Sequence, residues 1–257
     1  MREGRVEILG VGVDPLTAAE LRAEVLRLAE SRGCGLVLNV NAHCLNLLYK
    51  DSELRRFFAS ADVVFCDGAG VRLAARLLGR SLPERITYAD WMWDLAALSE
   101  AEGLSLYLLG AAPGVAGEAA GRLKERYLGL RIAGTHHGYF DHTAGSPESE
   151  AVVRAINAAR PDVLVVGMGM PLQERWLMAN RKRLDVGVAL TGGAAFDYVS
   201  GRLRRGPRLL TENGFEWLAR LIIEPRRLWR RYLVGNPAFL TRVLRQRLGE
   251  ALSSRRV

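Results

Sequence analysis

The chain has 257 residues, 49% hydrophobic and 25% charged, enough to bury one sizeable core and too apolar for wholesale disorder. No run approaches the roughly 20 consecutive apolar residues of a membrane-spanning helix, and Met1–Asp14 carries Glu3, Glu7 and Asp14 without the long apolar stretch of a secretory signal. Net charge is +8, but residues 201–257 alone carry fourteen Arg against four acidic residues, a net of +10, which leaves −2 for residues 1–200.

Taken in order, the first 200 residues alternate between strands and helices. Val6–Val13 is an apolar run that ends at Asp14-Pro15. Thr17-Ala-Ala-Glu20 has the capping-box spacing of a helix start, and Gly33 closes that helix. Short apolar runs follow at Leu36–Val40, Val63–Cys66, Leu104–Leu109, Val163–Val166 and Val186–Leu190, with a further strand around Arg131–Gly134. Between them lie helical stretches near 42–60, 70–79, 89–102, 114–127, 148–159 and 171–181. The runs are apolar without alternation, as strands covered on both faces must be. The expected fold is therefore α/β: a Rossmann-like parallel sheet core with right-handed crossovers. After Gly206-Pro207 only helices are expected, cut into short basic pieces by Pro225, Gly235 and Pro237. Cys34, Cys44 and Cys66 lie in or beside apolar runs and read as buried thiols of a reducing, cytoplasmic compartment.

Ligands of open α/β sheets bind outside the carboxyl ends of the strands, so the polar and glycine turns after the strands are the candidate rim. Asp67, flanked by Gly68 and Gly70, directly follows Val63–Cys66; it is placed for general-base work or, equally, as a helix cap. Asp197 invites ribose binding or the same capping role. Gln173 opens a helix where it can meet a sugar or phosphate, or simply solvent. Gly110 and Gly114 frame a helix start that suits a diphosphate or a plain turn. His136-His137 is a polar turn rather than a metal pair, and Tyr139 beside it can stack on a base or merely pack. In the basic region Arg220, Arg227 and Arg230/Arg231 are spaced to share one helical face, interleaved with Trp217, Leu221, Trp229 and Tyr232. Guanidinium forks match phosphate oxygens, and Trp/Leu neighbours suit lipid head groups.

These motifs run together along the chain: Asp67-Gly-Ala-Gly-Val71, Arg85-Ile-Thr87, Gly134-Thr-His-His-Gly-Tyr-Phe140, Gly167-Met-Gly-Met-Pro-x-Gln-Glu174, Gly192-Gly-x-x-Phe-Asp197 and Glu224-Pro-Arg-Arg-Leu-x-Arg-Arg-Tyr232. In that colinear order the sequence resembles the WecG/TagA/CpsF glycosyltransferases. The resemblance implies an inverting enzyme that uses no cofactor and moves an N-acetylmannosamine-type sugar from a UDP-sugar donor to a polyprenyl-diphosphate-linked GlcNAc acceptor, in cell-surface polysaccharide or teichoic-acid-type synthesis. It implies Asp67 as the base, with Arg220, Arg227 and Arg230 closing the site. Asn39, Asn41, Arg85, Thr87, Tyr139, Gln173 and Asp197 become the expected substrate contacts. The family's usual Thr-Pro-Asn turn is replaced here by Asn39-Val-Asn41. Residues 1–200 are then the nucleotide-sugar-binding core and 201–257 an Arg-rich appendage that meets an anionic membrane surface, peripheral on the inner face of the cell membrane, with self-association also implied.

Inverting transfer needs a base and something to neutralise the departing diphosphate. No Asp-x-Asp triplet occurs in the chain, so no metal site is expected and the charge falls to arginines and helix N-termini. A nucleic-acid-binding protein gripping phosphates with its tail would leave the rim turns idle, and no nucleic-acid fold is recognisable, so no nucleic acid partner is expected. A non-catalytic UDP-sugar sensor would tolerate the loss of Asp67.

Overall fold

The computed structural model describes residues 4–207, 210–211 and 214–253. Of the basic excess, Arg208, Arg255 and Arg256 lie outside the described residues. The chain opens with a small antiparallel hairpin, β1 (Val6–Ile8) and β2 (Val11–Val13). The single apolar run expected from Val6 to Val13 is thus two strands. Leu9 and Gly10, with φ of 53° and 78°, make a two-residue turn in the left-handed conformation, whose twist matches the right-handed twist of hairpin strands.

Helix α1 (Ala18–Ser31) starts as its capping box requires: the Glu20 amide donates to Thr17 Oγ1 and the Thr17 amide donates to the Glu20 carboxylate. It ends on Arg32 in the left-handed conformation, one residue before the expected Gly33. Then follow β3 (Gly35–Val40), α2 (Ala42–Lys50), α3 (Ser52–Ala59), β4 (Val63–Cys66), α4 (Ala69–Leu77) and α5 (Tyr88–Ala101). The single helix expected over 42–60 breaks at Asp51, whose carboxylate accepts from the Glu53 and Leu54 amides and so caps α3. Next come β5 (Ser105–Gly110), α6 (Val115–Arg126), β6 (Arg131–His136), α7 (Pro147–Ala159), β7 (Val163–Gly167), α8 (Leu172–Asn180), β8 (Val188–Thr191) and α9 (Ala195–Ser200).

Strands β3 to β8 form one sheet in the order β4-β3-β8-β7-β5-β6, and every pairing in it is parallel. This is the Rossmann-like core expected from the unbroken apolar runs. Alternate residues explain those runs. Leu36, Leu38, Val64, Leu164 and Val166 enter the cluster on one face, and Val37, Val63, Phe65, Val163 and Val165 enter the cluster on the other. With both faces covered, no strand position can be polar without a partner. The three cysteines are free and buried.

The basic region is helical: α10 (Glu216–Ile223), α11 (Pro225–Trp229), a wide π-type turn at Arg230–Val234, and α12 (Gly235–Ser253). Helix α12 packs on α2 and α4, and its Phe239 and Val243 are buried in the core cluster of that sheet face. Among the described residues, no helix is long and apolar enough to cross a membrane.

Candidate active site

A cavity of about 700 Å³ opens over the carboxyl ends of β4, β3, β8 and β7 and is roofed by α10, the π-type turn and the start of α12. Asp67 stands at its floor, at the first position after β4. Gly68, with φ of 148°, turns the chain sharply there into α4. Asn39, the next-to-last residue of β3, is buried beside it and donates from Nδ2 to Asp67 Oδ2 at 2.8 Å. The Asn39 amide is itself held: Thr191 Oγ1, at the end of β8, donates to Asn39 Oδ1 at 2.8 Å. A three-residue relay across adjacent strands therefore fixes the carboxylate from behind. Half-buried, and with Glu216 nearby, Asp67 has its pKa pushed up to about 6; Asn39, Arg231 and Arg220 oppose that rise.

Of the residues singled out in the sequence, Asp67, Asn39, Asn41, Arg85, Thr87, Arg220 and Arg227 line this cavity. Asn41 also caps α2, its side chain accepting from the Cys44 amide. Arg85 donates to the Thr211 carbonyl at 2.8 Å and pairs with Glu216 at 3.8 Å, so the appendage anchors it. Thr87 donates to Asp90 at 3.0 Å. Arg220 and Arg227 share one counter-ion, Glu224, at 3.5 and 3.0 Å.

Four of the expected site residues lie elsewhere. Tyr139 follows β6, the edge strand farthest from Asp67, and is 71% exposed. Gln173 is fully buried and spends its carboxamide on protein: Oε1 accepts from the Gly169 and Gly193 amides at 3.2 and 3.0 Å, and Nε2 donates to Glu174 at 2.7 Å. It braces the turn after β7 to the turn after β8, which shapes the rim without facing the cavity. Asp197, in the first turn of α9, is half-buried off the lining, and burial raises its pKa against the pull of Arg227. Arg230 is exposed and lies over Trp229. Its place on the lining is taken by Arg231, four residues after Arg227 and so on the same helical face. The Gly110–Gly114 turn is also outside the cavity; Gly110 is needed because a Cβ there would strike the Gly167 carbonyl at 2.2 Å.

Sequence reasoning missed Thr191, His43 and Glu216. Burial and Arg231 drive the pKa of His43, on the cavity wall, down to about 4, so it presents a neutral imidazole. Nothing in the local pattern marks a strand-end threonine or a helix-start glutamate as part of a site.

Electrostatically the cavity is built for an anion. Arg85, Arg220, Arg227 and Arg231 converge on it, and the Nε groups of Arg220 and Arg231 are buried with no hydrogen-bond partner among the described residues. Against these four guanidinium groups stand two carboxylate counter-ions, Glu216 and Glu224, so the cavity wall suits an anionic ligand.

The family model for the WecG/TagA/CpsF glycosyl transferases matches residues 6–253. The chain belongs to this family. Relatives include the N-acetylglucosaminyldiphosphoundecaprenol N-acetyl-beta-D-mannosaminyltransferases of Staphylococcus aureus strains NCTC 8325 / PS 47, COL and MW2, each 27% identical over 241 residues, covering 93% of this chain and 92% of the relative. As a WecG/TagA/CpsF member the chain is a hexosyltransferase of polysaccharide synthesis.

Proposed function

We propose that this glycosyltransferase moves an N-acetylmannosamine-type sugar from UDP onto a GlcNAc-diphospho-polyprenol, with inversion at the anomeric carbon and with arginines in the role of a metal. The observation that carries the reading is the convergence of Arg85, Arg220, Arg227 and Arg231 on the same cavity as a carboxylate whose pKa is raised to about 6. Asp67 accepts the proton of the acceptor hydroxyl while that oxygen attacks the anomeric carbon from the face opposite UDP. The bond from carbon to the UDP oxygen breaks, and its electron pair leaves with the diphosphate. Arg220, Arg227 and Arg231 neutralise the charge that develops there. Four cavity arginines and the lack of an Asp-x-Asp triplet support a metal-independent transfer.

The test is UDP release from UDP-N-acetylmannosamine and a synthetic GlcNAc-diphospho-lipid. Acceptor-dependent release that EDTA leaves within about twofold is expected, because fixed guanidinium charges do not exchange. An EDTA-sensitive rate would overturn the metal-free part; no release at all would overturn the donor and acceptor.

The Thr191 relay gives a second expected outcome. Thr191→Val frees the Asn39 amide to turn away, removing a hydrogen bond that favours the ionised Asp67. The acid limb of the pH–rate profile is expected to move upward from about pH 6, with kcat at pH 6.5 falling roughly tenfold, the worth of one hydrogen bond to a charged group. An unmoved limb would remove Thr191 and Asn39 from any tuning of the base.

The basic excess of +10 in residues 201–257, together with exposed Ile222, Trp229 and Val234, supports attachment to the inner membrane face, where each basic residue contributes about 1 kcal/mol against anionic lipid.

A further inference from the structure

One side of the cavity has no task in the chemistry above. Leu73, Phe215 and Leu233 line it, yet they are 46%, 48% and 57% exposed. Large apolar side chains gathered in a cavity and left open to water mark a surface that an apolar ligand covers. Their placement is systematic. Leu233, Pro237 and Leu240 are four and three residues apart along the continuous helical run from the π-type turn into α12, so they form a stripe on one face, and all three line the cavity. Opposite them, Leu73 lies one turn beyond Ala69 on α4, and a Cβ added at Gly214, the residue before Phe215, would come within 2.9 Å of the Ala69 side chain. Helices α4 and α12 are packed against each other, which closes the two apolar walls into one groove. Past the cavity, Leu244 and Leu248 continue the spacing of four from Leu240 and are exposed.

We propose that this groove binds the first isoprene units of the acceptor's lipid chain, leading it from the arginine cluster out along α12. The inference rests on the acceptor class proposed above and adds where its tail lies. The charge pattern favours that occupant over a second copy of the chain or the bilayer itself: the groove begins beside Arg220 and Arg231, and a molecule with a diphosphate head and an isoprenoid tail matches both ends at once. Recognition of the tail is then part of catalysis and not only of membrane attachment.

The experiment compares two acceptors below their micelle concentrations and without vesicles: GlcNAc diphosphate esterified to farnesol, and the same head group as its methyl ester. In the unaltered enzyme the farnesyl acceptor is expected to show a KM at least roughly 30-fold below that of the methyl ester, from burial of a few methylene groups. In Leu73→Ser/Leu233→Ser, both at half-exposed positions, that gap is expected to shrink about tenfold, while kcat and the KM for the UDP-sugar hold. A gap absent from the unaltered enzyme, or unchanged in the variant, would overturn the groove. Calorimetric binding of farnesyl diphosphate against inorganic diphosphate separates the two levels. Chain-dependent binding without turnover of either acceptor would sink the transferase chemistry and keep the groove; equal binding of both would sink the groove.

Discussion

Asp67→Asn is expected to abolish most turnover and, at the same time, to make the protein more stable at neutral pH. Removing a positioned general base costs about 10²–10⁴ in kcat, and the neighbouring cavity groups are poor substitutes: His43, with its pKa driven down to about 4, is a weak base, and Glu216 is paired with Arg85. The stability effect has the opposite sign. Asp67 has a folded pKa of about 6 against an ordinary value of 3.8, because burial disfavours its charge. The folded state therefore holds its proton more tightly than the unfolded chain, and the penalty for ionising it is absent below pH 4 and complete above pH 6. At 1.36 kcal/mol per pKa unit this amounts to roughly 2–3 kcal/mol at pH 7.5. Asparagine keeps the hydrogen bond from Asn39 and removes the charge. A rise of several degrees in Tm at pH 7.5, shrinking toward zero at pH 4, is the expected calorimetric result. A variant with unaltered kcat would exclude Asp67 as the base; a variant less stable than the parent at pH 7.5 would contradict the burial penalty.

The second large effect separates two adjacent arginines. Arg231→Ala is expected to lower kcat/KM about 10²-fold or more, the usual consequence of removing one charged group that meets developing charge in the transition state. Arg230→Ala, on the solvent side of the same turn, should leave kcat/KM within about threefold, since its guanidinium is solvated and lies over Trp229. The pair is compared with a soluble acceptor, so that weakened membrane attachment does not enter. Equal losses, or a larger loss at Arg230, would reverse the assignment. Arg231→Lys should recover little, because a point charge does not replace the fork that spans two phosphate oxygens.

That pair also shows where sequence reasoning reached its limit. Helical spacing allows either Arg230 or Arg231, three and four residues after Arg227, to share its face, and only the fold shows that Arg231 lines the cavity while Arg230 faces solvent. The sheet was legible because a strand covered on both faces is apolar nearly throughout: Val63–Cys66 and Val163–Val166 are so at every position, and Leu36–Val40 breaks the rule only at Asn39, which has partners in the site. Asp67 was legible as a rim residue from its place between a buried strand and a glycine. The hairpin at Leu9-Gly10 was hidden, since its turn carries no polar residue to interrupt the run. Gln173 looks identical in sequence whether it faces a ligand or the Gly169 and Gly193 amides, and only the fold reveals that its partners are backbone. Glu216 and Thr191 join the site through contacts with Arg85 and Asn39 that are remote in the chain, and no local pattern encodes them.

The division of the cavity between early and late parts of the chain bears on its biosynthesis. The base and its relay belong to strands made before the roof, whereas three of the four guanidinium groups, and the carboxylate that anchors the fourth, come from α10, α11 and the π-type turn. The cationic wall is thus among the last parts of the cavity to be synthesised. On the proposed roles of these residues, the grip on a diphosphate is completed late, together with the surface proposed to meet the membrane.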